Sequence, residues 1–226
     1  MSETKEKIGF DSLYWRAARR FELRWQDAGW EKNHHVSTAQ LIRVADLTVV
    51  GDNIEHGINH DPSPVSHTER LLDALPVRGT ETFIDFGSGL GRVALLAARR
   101  FPVVMGVEFA TKLTIVSERN IACYRGPLRC RPKIFNKDAA EFEIPSDKEL
   151  VIWFYSPFQP PVMKKVLDNL TNSFRQNPRR ISVMYCAPFF RDLMDNVSWL
   201  KEQPLPIRRS FFKDRLKHVF YTSEAL

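Results

Sequence analysis

The chain predicts an α/β fold: a doubly wound, mostly parallel seven-stranded sheet with helices on both faces and a C-terminal antiparallel β-hairpin. Three observations carry this. Between residues 82 and 186 short apolar runs alternate with amphipathic ones, as strand–helix–strand units do. The run 149–155 is apolar almost throughout, as a strand covered on both faces requires. Beyond residue 200 the alternation stops, and two strand-like runs, 207–212 and 218–222, flank a short charged turn.

The elements follow in order. Residues 9–30 are rich in aromatics and arginine (Phe10, Tyr14, Trp15, Phe21, Trp25, Trp30) and read as helical. Residues 33–64 have poor periodicity, two glycines, several histidines and two prolines, and read mostly as loop. Ser63 and Pro64 open a helix as N-cap and first helical residue, with Val65, Thr68, Leu72 and Leu75 on one face and Pro76 beyond its end. Strands are expected at 82–86, 103–107, 132–135, 149–155 and 180–186. Helices are expected at 91–101, 110–124 and 161–175; in the last, Met163, Val166, Leu167, Leu170 and Phe174 recur at steps of three and four. The chain therefore divides into an N-terminal helical and loop segment, 1–64, expected to act as a lid, and an α/β domain, 65–226.

Composition excludes several classes. A hydrophobic fraction of 43% and a charged fraction of 27% belong to an ordinary globular protein. No apolar run approaches the roughly 20 residues of a membrane helix, and the first seven residues lack the apolar core of a signal peptide. Cys123, Cys130 and Cys186 are odd in number and lack C-x-x-C spacing, which argues against a disulfide framework and against structural zinc. His34 and His35 have no carboxylate or cysteine at ligand spacing, so no metal site is expected. A cytoplasmic protein with no membrane partner is the expectation. The net charge of +6 permits an acidic partner without requiring one. The basic run Arg208, Arg209, Lys213, Arg215 and Lys217 reads equally well as a solvated hairpin edge.

The most informative stretch runs from Phe83 to Arg92: a strand, the acidic Asp85, then Gly87, Gly89 and Gly91 at alternate positions before a helix. Glycine lets the backbone turn tightly and approach a ligand, and the helix start offers free N–H groups. A dinucleotide site wants G-x-G-x-x-G, and Arg92 stands where its last glycine belongs. In an open α/β sheet a ligand sits beyond the carboxyl ends of the strands, so the residues there are the candidates. Glu108 follows the second strand, at a distance that suits the two hydroxyls of a ribose. Asp138 and Ala139 follow the third, and Tyr155, Ser156, Pro157 and Phe158 the fourth. Taken singly, Asp85 also reads as a helix-dipole partner, Glu108 as an N-cap and Asp138 as a turn residue.

Taken together, D-x-G-x-G-x-G from Asp85 to Gly91 resembles motif I of the class I S-adenosylmethionine (SAM) methyltransferases. The resemblance covers roughly residues 60 to 222. It implies SAM as cofactor, with Asp85, Phe86, Gly87, Ser88 and Gly89 in the glycine turn and Glu108 on the ribose. It also implies an acidic side chain, Asp138, on the adenine amine, the Ala139 region on a ring nitrogen, and Tyr155 at the methyl-transfer end. The segment from His60 to Pro64 looks like the Y-x-P-[ST]-P entry of an uncharacterised bacterial subgroup with an N-P-F motif IV, and so places Pro62 and Ser63 near the cofactor. Protein-lysine methyltransferases that lack a SET domain show a similar loop over the SAM methionine. This chain departs from the subgroup with His60 for the aromatic and Ser156 for the asparagine.

Methyl transfer needs an aligned acceptor, a dry site and removal of any acceptor proton. Tyr155 and Ser156 are the orienting candidates, with His60, Asp61 and His67 in reserve. The expected acceptor is a small molecule or a protein side chain, most naturally lysine. The alternatives are a nucleic-acid exocyclic amine and a non-catalytic module of the same fold. The first is weakened by Phe158 replacing the second proline of [DNS]-P-P-[YFW].

Overall fold

The computed structural model describes residues 27–207 and 217–223. Most of the expected helix at 9–30, and residues 208–212 of the expected penultimate strand, lie outside the described residues.

A short helix, α1 (Ala28–His34), leads into a segment with two single-turn 3₁₀ helices, Val44–Asp46 and Ile54–His56. Then come α2 (Val65–Ala74), β1 (Thr82–Phe86), α3 (Arg92–Ala97), β2 (Val103–Glu108), α4 (Thr111–Cys123) and β3 (Lys133–Asn136). A 3₁₀ turn, Ala139–Glu141, precedes β4 (Leu150–Tyr155), α5 (Pro160–Gln176), β5 (Ile181–Cys186), α6 (Arg191–Asp195), β6 (Leu200–Gln203) and β7 (His218–Ser223). The seven strands form one sheet in the order β3-β2-β1-β4-β5-β7-β6. The first five are parallel, and β7 runs antiparallel between β5 and β6.

Side chains alternate across this sheet as the strand period demands. Phe83 and Trp153 join Leu71, Leu72, Leu95 and Phe101 on the face covered by α2 and α3. Ile84, Phe86, Ile152 and Phe154 join Met163, Val166, Leu170 and Tyr185 on the face covered by α5. All five residues of β1 are buried, because helices cover both of its faces and strands flank both of its edges. The chain winds outward from β1 to β3 and then returns to β4 on the other side of β1. The switch point lies between β1 and β4, and that is where a ligand crevice opens in such sheets.

Three expectations need correction. The antiparallel partner of β7 is Leu200–Gln203, earlier in the chain than 207–212. Its three consecutive polar residues Lys201, Glu202 and Gln203 are exposed, as on a sheet edge, so the strand carries no apolar run. Ile207 is instead outside regular structure and packs on the core. Ser63 does not cap α2, because Pro64 itself is extended (φ −60°, ψ 129°) and stands at the cap position. The Val65 N–H is met by Asp27 Oδ1 at 3.2 Å, a partner distant in sequence. Helix α3 ends at Ala97 and passes into turns up to Phe101.

Candidate functional site

The carboxyl ends of β1, β2 and β4 open into one cavity of about 760 Å³. Asp85, Gly87 and Ser88 line it from the first, Glu108 from the second, and Tyr155, Ser156, Pro157 and Phe158 from the fourth. Asp138 and Ala139, beyond β3, line it as well, as do Pro62 and Ser63. Of the residues singled out from sequence for the site, Phe86, Gly89, Gly91 and the reserve candidate His67 are not on its wall, while His60 and Asp61 are. Phe86 points into the core, stacked on Phe154 with ring centroids 5.5 Å apart, because it follows Asp85 in a strand and so faces the other way. Gly89 lies under the His60 ring.

The glycine turn depends on backbone that other residues resist. Gly87 and Gly89 have φ of 75° and 53°, in the left-handed region. A Cβ on Gly87 would stand 2.5 Å from Pro157 Cβ, and one on Gly89 would run into the His60 imidazole. The turn is tied to β2: the N–H groups of Gly87 and Ser88 both donate to Val107 O, at 2.9 and 3.1 Å.

Two acids face each other here. Glu108 accepts the Gly89 N–H on Oε2 at 2.8 Å and the Ala110 N–H on Oε1 at 2.9 Å, so it braces the turn and the start of α4 together. Burial pushes its carboxyl up to about 7, against those backbone donors. Asp85 is buried, and its Oδ2 has no hydrogen-bond partner. Burial, reinforced by the charge of Glu108, raises it to about 8. An acid pair held this way invites a cation. At the far end, Asp138 Oδ1 accepts the Ala140 N–H at 2.9 Å, while its Oδ2 accepts from Asn53 Nδ2 at 2.6 Å.

A cover spans the cavity, made from the loop that precedes α2. Val49 bridges Ala110 near the end of β2, Gly57 bridges Phe158 after β4, and Ile42 bridges His60. The cover is fixed to the turn by Arg92, the residue that excluded a dinucleotide site. Its guanidinium is buried and reaches Asp27, Glu31, Thr38 Oγ1 (2.7 Å) and Ser63 O (2.9 Å). Sequence alone gave no sign of this cluster, whose partners lie up to 65 positions away. Opposite, Ser156 (φ 41°) and Ala187 (φ 47°) hold left-handed backbone, uncommon for residues with a Cβ, at the ends of neighbouring strands β4 and β5. Such strain persists where surrounding structure enforces it and gathers at ligand sites. Ser156 sits beside the buried Tyr185 hydroxyl, which accepts the Phe190 N–H at 3.3 Å. An apolar rim of Ile58, Phe158, Pro188 and Phe189 completes the opening, with Lys217 on its edge.

No protein-family model matches the sequence, and no curated protein does. Solved structures do match. A candidate O-methyltransferase of Nostoc punctiforme PCC 73102 superposes with a TM-score of 0.52 at 10% identity, over 70% of this chain and 56% of that one. The magnesium protoporphyrin IX methyltransferase of Synechocystis PCC 6803, solved with bound SAM, gives 0.48 at 13%, over 70% and 77%. Phosphoethanolamine N-methyltransferase 1 of Haemonchus contortus, in complex with phosphoethanolamine and S-adenosylhomocysteine, gives 0.42 at 17%, over 54% of this chain and 25% of that one. The match thus spans a quarter of the Haemonchus enzyme and about half of the Nostoc protein. The likeness is one of fold alone: a Rossmann-like α/β sheet of the kind the Nostoc protein has.

Proposed function

We propose that the chain is a SAM-dependent methyltransferase acting on a small molecule or on a protein side chain such as lysine. One observation carries this reading: Asp85, the glycine turn, Glu108 and Asp138 converge on a single cavity at the switch point. The residues fit the cofactor. A buried carboxylate oxygen without a partner suits an ammonium, and the glycines at 87 and 89 let the turn pack closely against Pro157 and His60. In this reading Asp85 holds the amino-acid end, Glu108 the ribose hydroxyls and Asp138 the adenine amine. Each Glu108 oxygen accepts one backbone bond and retains capacity for a second.

When bound, SAM supplies an electrophilic methyl on a sulfonium. The chain's own task is to align an acceptor against it, keep water out and receive a proton where the acceptor carries one. The cover over the cavity excludes water. Tyr155 and Ser156, at the strained end of β4, orient the acceptor. Ile58, Phe158, Pro188 and Phe189 favour an acceptor with an apolar body. The nucleic-acid alternative is disfavoured locally: Phe158 is buried against Phe154, and Gln159 follows it where a base-stacking ring would be needed. The test is transfer of radiolabelled methyl from SAM into a cell extract fractionated into small molecules, protein and nucleic acid. Label in the first two fractions is expected; label confined to nucleic acid, or none at all, would overturn the proposal.

A further inference from the structure

The carboxyl ends of β4 and β5 build the part of the cavity that lies beyond the residues assigned to the cofactor, and strand register fixes what stands there. Tyr155 pairs with Cys186, and Cys186 with His218. One residue further out, Ser156, Ala187 and Lys217 stand abreast, with the Ala187 N–H donating to Lys217 O at 2.8 Å. Two strand spacings separate Ser156 from Lys217, about 10 Å between backbones. All three residues line the cavity. Ser156 is buried and its Oγ has no hydrogen-bond partner, which in a native site calls for an explanation. Beyond Ala187 the chain turns at once: the Phe189 N–H donates to Ala187 O at 2.8 Å, and the Phe190 N–H to the Tyr185 hydroxyl at 3.3 Å. That turn holds Phe189 on the cavity wall with most of its ring exposed.

Charge is divided across the cavity. The carboxylates of Asp85, Glu108 and Asp138 come from the ends of β1, β2 and β3, whereas the lining residues from β4 onward are uncharged apart from Lys217. No carboxylate among the described residues pairs with Lys217. The ammonium of a substrate lysine would meet a like charge at this end and no acid to hold it, while a carboxylate would meet a cation. The remaining wall is largely apolar, with Phe158, Val162, Pro188 and Phe189. Resting on the SAM reading, we infer that the acceptor is a small aromatic acid, with its carboxylate on Lys217 and its methyl-accepting group at Ser156. Its flat body lies along Phe158, Pro188 and Phe189. One or two rings bridge the span once Ser156 and Lys217 contribute their own reach. Lys217 is then the residue that sets acceptor specificity, and it selects a small molecule over a protein lysine.

The experiment titrates the full chain, saturated with S-adenosylhomocysteine, with two probes by calorimetry. 6-Hydroxy-2-naphthoate carries a hydroxyl and a carboxylate at opposite ends of a flat body; 6-hydroxy-2-naphthamide has the same shape without the charge. The naphthoate binds more tightly, by a factor between about three, for an exposed ion pair, and about thirty, for a hydrogen bond to a charged group. Lys217→Met brings the two affinities within about twofold of each other, and Lys217→Arg keeps the preference. S-adenosylhomocysteine affinity stays within about twofold in both variants, which also shows that they are folded. Equal affinities in the unaltered chain, a preference that survives Lys217→Met, or binding of neither probe would overturn the inference and leave the SAM reading intact. Failure of the unaltered chain to bind S-adenosylhomocysteine would instead overturn the SAM reading, and this inference with it.

Discussion

The glycine turn and the cover above it enclose the same cavity by different physics. The turn is an extension of β1, whose residues are buried and bonded to strands on both sides, and its N–H groups are fixed to Val107 and Glu108. The cover has no regular element beyond two 3₁₀ turns. It is held by isolated backbone bridges and by one buried guanidinium. On the proposed reading the rigid side serves the constant cofactor, and the loosely sewn side whatever must enter and leave. Regions with few ladder bonds open at lower free-energy cost than core strands.

The most direct way to break this contrast is to cut the stitch. Arg92→Leu removes the cation from a buried cluster that holds the carboxylates of Asp27 and Glu31. A loss of about 3–5 kcal/mol in urea denaturation is expected, with faster proteolysis within residues 36–64. Equal susceptibility in both proteins would mean that the cover does not depend on Arg92.

Next in size is a change on the rigid side. Gly89→Ala forces a Cβ toward His60 at a φ of 53°. Strain of about 1–3 kcal/mol is expected, seen as weaker S-adenosylhomocysteine binding by about tenfold or more, with proteolysis of the cover increased only modestly.

Protonation tests the acids that brace the turn. Asp85 and Glu108 stand at about 8 and 7 when folded, above their ordinary 3.8 and 4.5. The folded state thus keeps protons that the unfolded chain releases, and this contribution is lost as pH rises from roughly 4 to 8. His60, depressed from 6.5 to about 4, works in the opposite sense, losing its contribution as pH falls between those values. Above pH 6.5 the acids dominate. The ligand-free Tm should fall between about pH 6.5 and 8.5, while the rise in Tm caused by S-adenosylhomocysteine, whose ammonium favours ionised carboxylates, should grow. In Asp85→Asn that growth should largely vanish; an unchanged pH response would show that Asp85 does not titrate with binding.

The smallest effect belongs to the rim. Phe189 is 77% exposed, so Phe189→Ala should alter stability by no more than about 0.5 kcal/mol. Affinity for S-adenosylhomocysteine should stay within about twofold, and a larger drop would move the rim into the cofactor half.

The same contrast explains what was legible in the sequence. Strands β1 to β5 and the residues after them could be read because the relevant signals are local: an apolar run, an acid, alternate glycines. The cover's attachments could not, because Asp27, Glu31, Thr38 and Ser63 meet Arg92 only through tertiary packing. His60 was visible as a departure from an aromatic, but nothing local said that it rests on Gly89. Strand β6 is not legible because an exposed edge strand such as Leu200–Gln203 has a polar sequence with no apolar period.

On the proposed reading this cavity holds a SAM-type ligand through Glu108 and its neighbours. Calorimetric titration of the full chain with S-adenosylhomocysteine tests it most directly, with Glu108→Ala alongside. Saturable one-to-one binding is expected, weakened about tenfold or more in the variant. Absence of binding in the unaltered chain, or equal affinity in the two proteins, would contradict it.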